Sequence, residues 1–247
     1  MAAPPPLSSA EETAALAAAC GVKKIFHVPF TRETAALEPE AFVFCLTKAF
    51  PALRALACGW NYTFGRGAAG GAERLCALAG ARGLAVSVSP PVEAAGSPVS
   101  STRIRSALAA GDAALAAALL GRRYALSGPV VHGRQVGRTI AFPTANIDAA
   151  GRFLPAPGVY AVEVFLPGGS APRRGAAFFP DPADPAQQAA GGAVEVHIPS
   201  FDGDLYGQTL RIALVRRLRG HQSFETLAAL AAQLARDIAI VEGGEGL

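Results

Sequence analysis

The stretch GPVVHGRQVGRTIAFPTANI, residues 128–147, decides how this chain is read. It begins inside YALSGPVVHG (124–133), a short β-branched run of the kind that forms a strand. It then places glycines at 133 and 137 and arginines at 134 and 138 ahead of a rigid, polar FPTAN turn. The glycines let a backbone pass close to a bulky anion with its N–H groups turned toward phosphate oxygens. Arg134 and Arg138 add charge beside that backbone. Pro143 fixes φ and presents Thr144 and Asn146, two neutral oxygen donors two residues apart. Hard cations such as magnesium take oxygen ligands and keep several waters, so a hydroxyl and an amide carbonyl can share one with nucleotide phosphates. A glycine-rich hairpin that ends in a proline turn and binds nothing is the plain alternative.

Downstream, the strand character continues. GVYAVEVFLP (158–167), GAVEVHI (192–198) and LYGQTLRIALVRRL (205–218) are short, alternating or β-branched runs punctuated by Gly and Pro, the pattern of a small antiparallel barrel. SFETLAALAAQLARDIAIVEG (223–243) has apolar residues at helical spacing, which predicts one long helix capped by Ser223 and packed on the barrel. PDPADPAQQAAGGA (180–193) has no periodicity and reads as a mobile loop.

Upstream, the pattern is different. Residues 10–121 alternate helix and strand signals, which predicts a parallel α/β sheet. Helices are expected over Glu11–Cys20, with Ser9 as cap and Glu12 three residues on, over Glu38–Phe50 and over Gly71–Arg82. Strands are expected at KIFHVPF (24–30), within ALRALACGW (52–60) and at GLAVSVSP (83–90). SSTRIRSALAAG (100–111) opens on a serine cap and closes on glycine. The division between the halves falls near Gly121, giving domains 1–121 and 122–247.

Bulk composition narrows the function classes. The chain has 247 residues, 51% hydrophobic and 17% charged, with a mean hydropathy of +0.31, enough to bury a core. No run of about 18 apolar residues is free of charge, Pro or Gly, so no membrane span is expected. The opening AAPPPLSSAEE has neither a basic nor an apolar signal region. The net charge of +3 suits an anionic small-molecule substrate, not a nucleic-acid footprint. Arg216, Arg217 and Arg219 form the one dense basic cluster, and only Phe224 is near enough to stack between them. Cys20, Cys45, Cys58 and Cys76 show no C-x-x-C pair and read as small buried thiols in a reducing cytoplasm, not zinc ligands.

The 128–147 stretch resembles the signature of riboflavin kinases, G-x-V-x-x-G-x-x-x-G-R-x-x-x-F-P-T-A-N. Gly128, Val130, Gly133, Gly137, Arg138, Phe142, Pro143, Thr144, Ala145 and Asn146 all match. The likeness continues through LPAPGVYA (154–161), VEVHIPSFDGDLYG (194–207), Leu218, Arg219, Phe224 and the helix to Asp237, covering about residues 122–240. It implies that riboflavin and ATP give FMN and ADP, with Mg2+. It assigns Gly133, Gly137, Arg138, Thr144 and Asn146 to the nucleotide, Thr144 and Asn146 also to the metal, and Glu195 to the base. A carboxylate at hydrogen-bond reach can take the proton of the weakly nucleophilic riboflavin 5′-hydroxyl as the γ-phosphoryl moves. Arg219 is assigned to substrate, and His197 to a structural role. GAAFFPDPAD (175–184) departs from the family's N-I-G-x-x-P-T segment.

The first half is similar to the adenylyltransferase part of bacterial bifunctional riboflavin kinase/FAD synthetases. CGWNYTFGRGAAGGAERL (58–75) matches at Asn61, Phe64 and Gly65, with Gly71 where that family has Asp. VSSTRIRSALAAGD (99–112) matches at Ser100, Ser101, Thr102 and Arg105, at a capped helix N-terminus suited to phosphate. The histidines, at 27, 132, 197 and 221, include no H-x-G-H motif. The expectation is therefore a truncated nucleotidyltransferase-like sheet, little or no FAD synthesis from the chain as it stands, and a working kinase. A truncated bifunctional enzyme and a non-catalytic flavin- or nucleotide-binding protein are the alternatives. Small-molecule substrates are the expected partners, with no nucleic acid and no membrane; the sequence leaves the oligomeric state open.

Overall fold

The computed structural model describes residues 4–133, 142–181, 184 and 193–243. Its helices are α1 (Ala10–Ala19), α2 (Arg32–Ala35), α3 (Pro39–Ala49), α4 (Ala72–Gly80), α5 (Ser101–Ala110), α6 (Ala113–Leu120) and α7 (Leu227–Gly243). Its strands are β1 (Ala55–Gly59), β2 (Ala85–Ser89), β3 (Glu93–Ala94), β4 (Ser97–Pro98), β5 (Ala125–Val131), β6 (Thr144–Ile147), β7 (Gly158–Phe165), β8 (Arg173–Phe179), β9 (Val194–His197) and β10 (Thr209–Arg219).

The residues fall into two compact units. One holds residues 18–93, and the other holds 1–17 together with 94–247. The units do not follow the sequence division at Gly121. The reason is packing: Ile104, Ala107 and Leu108 of α5 and Ala113, Ala116 and Leu119 of α6 share one buried cluster with the barrel interior.

In the smaller unit, β1 and β2 pair in parallel, Ala55 with Ala85 through Gly59 with Ser89. Val43, Phe64 and Leu75 form its buried centre. The expected strand at 24–30 is not one. Phe26, Val28 and Phe30 are exposed, Phe30 at 88%, because no described strand offers this apolar run a ladder. The expectation of buried thiols also fails. Cys20, Cys45 and Cys76 are exposed and Cys58 is half-buried, since few residues of this unit are covered at all.

The larger unit is built on a closed antiparallel barrel in the order β10-β5-β6-β9-β8-β7, with β7 pairing back onto β10. The period-two alternation sorts its side chains. Ala145 and Ile147 of β6, Val194 and Val196 of β9, Ala177 and Phe179 of β8, and Tyr160 and Val162 of β7 belong to the interior cluster. Tyr160 donates its O–H to the Ala156 carbonyl at 2.8 Å, and burial pushes its phenol up to about 12. The alternate residues face outward. Val159, Ala161 and Ala176 are buried there with Ile238 and Val241 of α7, and Phe178 packs beside them. The terminal helix thus covers one outer wall of the barrel. It starts at Leu227, later than expected, and Thr226 rather than Ser223 caps it, its hydroxyl accepting from the Ala229 N–H at 3.2 Å.

The N-terminal segment is strapped to this unit. Ser9 and Glu12 form the expected reciprocal cap, with Glu12 N–H to Ser9 Oγ at 3.1 Å and Ser9 N–H to Glu12 Oε2 at 2.9 Å. Arg152 donates to the same carboxylate at 2.6 Å and to the Leu7 carbonyl at 3.0 Å. Burial alone would raise the Glu12 carboxyl. The Arg152 hydrogen bond and the Ser9 N–H outweigh it and hold Glu12 below the usual carboxylate value.

Candidate active site

Strand register assembles the site. In the β6–β9 pair, Asn146 stands opposite Glu195 and Thr144 opposite His197. Directly opposed residues have Cβ atoms about 4.5–5.5 Å apart, so the carboxylate and the two oxygen donors are immediate neighbours on one face. In the β8–β9 pair Phe178 stands on the other side of Glu195. All of these point to the outer wall that α7 covers.

A cavity of about 490 Å³ lies between that wall and α7. Thr144, Asn146, Glu195, His197 and Arg219 line it, together with Phe142, Phe178, His221, Phe224 and apolar residues of α7. Its size falls within the range of about 300–1,000 Å³ typical of small-molecule sites. A second cavity, of about 390 Å³, is lined by Val130, Pro143, Thr144, Ala145, Val196, Asp204 and Tyr206 among others. Thr144 lines both cavities.

Three details fix this arrangement. Gly133 approaches Asn146 so closely that a Cβ there would lie 2.4–2.5 Å from the atoms of the Asn146 amide. Space, not backbone conformation, is what demands glycine at 133. His197 Nδ1 lies 2.8 Å from the Pro143 carbonyl, an acceptor only, so this nitrogen carries the proton and the ring clamps the turn that leads into Thr144. Arg219 donates from Nε and a terminal nitrogen to Asp237 of α7, at 3.0 and 2.9 Å to Oδ2.

The sequence-assigned residues Thr144, Asn146, Glu195 and Arg219 therefore meet at one cavity, with Gly133 packed behind Asn146. Gly137 and Arg138 lie outside the described residues, as does Arg134. Most of the expected mobile loop at 180–193 is outside them too. Asn146 is a buried polar residue, 8% exposed. Thr144 and Asn146 are hard but neutral donors on one strand face. That set suits a hard cation only if anionic oxygens complete its shell. Among the described residues no group of three or more His, Cys, Asp or Glu side chains is gathered as a metal site.

Sequence reasoning missed Phe178 and Asp237. Phe178 sat in the segment that departs from the family pattern, yet it is a strand residue of β8 facing the cavity. The basic cluster does not present one face either. Arg217 donates to the Pro157 carbonyl at 2.6 Å while Arg219 turns to the cavity, and the β10 register shifts between them.

The residues matched to an adenylyltransferase fall in both units. In the smaller one Phe64 is buried and bridges Gly70 in both directions at 2.9 Å, Gly65 takes a φ of +76° against Pro39, and Asn61 is exposed. In the larger one Ser100 caps α5, accepting from the Arg103 N–H at 3.2 Å, Ser101 and Thr102 form the first turn, and Arg105 donates to the Pro5 carbonyl at 3.2 Å.

Comparison with known proteins agrees with a flavin-nucleotide transferase. The riboflavin kinase family model matches residues 120–243 and the FAD synthetase model matches residues 1–103. The bifunctional riboflavin kinase/FMN adenylyltransferase of Escherichia coli (strain K12) is 38% identical over 238 residues, 95% of this chain and 74% of that protein. The protein of the same name from Pseudomonas fluorescens is 34% identical over 227 residues, 92% and 72% of the two chains. A crystal structure described as a macrolide-efflux protein from Streptococcus pneumoniae superposes with a TM-score of 0.83 at 30% identity, covering 96% of this chain and 75% of that one. No helix among the described residues is long and apolar enough to cross a membrane. The chain belongs to the bifunctional riboflavin kinase/FMN adenylyltransferase family, and its barrel is the riboflavin kinase part.

Proposed function

We propose that the barrel phosphorylates riboflavin with ATP through the two cavities that meet at Thr144. Riboflavin occupies the cavity under α7, where aromatic walls suit a flat ring and Glu195 awaits the ribityl 5′-hydroxyl. ATP occupies the second cavity, with its terminal phosphates toward Thr144 and Asn146. The observation that carries this reading is the juxtaposition of Glu195 with Asn146 across β9 and β6 on a wall that Thr144 shares between both cavities.

In the reaction the Glu195 carboxylate accepts the 5′-hydroxyl proton. The freed oxygen bonds to the γ-phosphorus, the bond to the β–γ bridging oxygen breaks, and ADP leaves. Thr144 and Asn146 would hold Mg2+ jointly with phosphate oxygens, and the ion when bound offsets charge on the phosphates. The chain's own contribution is position: His197 holds the turn before Thr144, and Gly133 leaves room for the Asn146 amide. A base of this kind contributes about 10²–10⁴-fold to rate. Glu195→Gln should therefore cut kcat by at least about a hundredfold while riboflavin binding survives. Turnover within a few-fold of wild type in that variant would remove Glu195 from the role.

The match of 1–103 to FAD synthetase supports a second reading, in which this part of the chain adenylylates FMN. Ser100, Ser101, Thr102 and Arg105 at the start of α5, and Asn61, Phe64 and Gly65 in the smaller unit, are its candidates. The match ranges support a module boundary near Gly121. The partners proposed are small molecules, in a cytoplasmic setting.

A further inference from the structure

Asp237 is 2% exposed on α7, and its carboxylate is fully engaged. Arg219 Nε donates to Oδ1 at 3.2 Å and to Oδ2 at 3.0 Å, and a terminal nitrogen donates to Oδ2 at 2.9 Å. Gln233, one helical turn earlier, donates its amide to Oδ1 at 2.9 Å. Arg219 itself is nearly covered, with a side-chain exposure of 14%. Its other terminal nitrogen donates to the Gly220 carbonyl at 3.3 Å, and its guanidinium lies 5.8 Å from the centre of the Phe224 ring. A guanidinium has five N–H groups. These bonds leave one hydrogen on each terminal nitrogen outside them, and Arg219 lines the larger cavity.

We propose that Asp237 is a positioning residue for the flavin: it aims Arg219 at an acceptor edge of riboflavin and ties the seating of α7 to completion of the site. The inference rests on riboflavin occupying this cavity. Two physical arguments support it. A buried guanidinium without its counter-charge reorients toward water, since an unpaired buried charge is strongly disfavoured. A fork held at both ends keeps its remaining N–H groups in fixed directions, which is what recognition of a planar acceptor edge needs. The partner could have come from the barrel. Instead it comes from the helix that roofs the cavity, so Arg219 is aimed only when the roof is in place.

The test is a double-mutant cycle on the full chain. Riboflavin affinity is read from quenching of its own fluorescence, which needs no turnover, and KM values are read from FMN formation. Asp237→Asn, nearly isosteric, should weaken riboflavin roughly tenfold or more and leave the KM for ATP unchanged. Arg219→Gln should do the same, and the double variant should be no worse than Arg219→Gln alone. Gln233→Leu removes only the support of Asp237 and should give a loss of about threefold in the same direction. Losses that multiply in the double variant would overturn the proposal. So would an Asp237→Asn chain whose KM values for both substrates rise together, as a merely loosened helix would give. A wild-type chain that binds riboflavin without making FMN would contradict the reaction proposed above, while the binding cycle still decides the role of Asp237. A wild-type chain that does not bind riboflavin overturns both.

Discussion

Adding a single methyl group at Gly133 separates the site from the fold. The Cβ of Gly133→Ala would stand 2.4–2.5 Å from the three atoms of the Asn146 amide. Ordinary contact begins about 1 Å further out, so one of the two must give. The backbone of Asn146 is held on both sides, by Val131 of β5 and Glu195 of β9. Its amide is the free end of a side chain, so the amide moves. A shift of that size in a positioning group costs about 10²-fold in rate. The fold loses little, because the displaced atoms border a cavity. The expected outcome is a drop of about a hundredfold in kcat/KM, a raised magnesium requirement and a melting temperature within a few degrees of wild type. The assay is FMN formation against magnesium concentration, beside a thermal melt. A Gly133→Ala chain with wild-type kcat/KM and an unchanged magnesium curve would refute the placement of Asn146 at the phosphates.

Two further predictions concern other parts of the chain. Ala145→Leu fills the second cavity from its wall and should raise the KM for ATP about tenfold with the KM for riboflavin unchanged; the reverse pattern would exchange the two substrates between the cavities. The carboxyl of Glu12 is held below its ordinary value, so its contribution to stability is complete above about pH 4.3 and is lost as pH falls through the lower folded value. Melts between pH 6 and about 3 should show wild type losing more stability on acidification than Glu12→Gln, and parallel curves would refute this role for the Arg152 pair.

Much of the kinase barrel was legible because its strands announce themselves twice, by alternation and by turn residues. The stretches around β5, β7, β9 and β10 carry both signals. β6 does not, because it lies largely within the FPTAN motif, which reads as a turn. β8 was hidden by its composition: RRGAAFF offers small residues on both faces, and only its neighbours decide which one is buried. Thr144, Asn146 and Glu195 were assigned through the family resemblance; by residue type alone Glu195 on an alternating strand reads as solvated surface. Their juxtaposition across strands depends on register, which a single strand does not encode. Asp237 was invisible as a functional residue because an acid beside Arg236 in an amphipathic helix reads as solvated surface. The run 24–30 misled in the opposite sense. Its apolar and β-branched residues ask for a sheet, and no described strand takes them up.

The most direct test incubates the purified chain with riboflavin, ATP and magnesium and separates the flavins by chromatography. The account predicts FMN in amounts that rise with enzyme and time, at a rate cut at least about a hundredfold by Glu195→Gln. FAD appearing after FMN would add the second activity to the first 103 residues. Riboflavin recovered unchanged, from a chain that binds it, would contradict the claim that the wall formed by Thr144, Asn146 and Glu195 transfers a phosphoryl group.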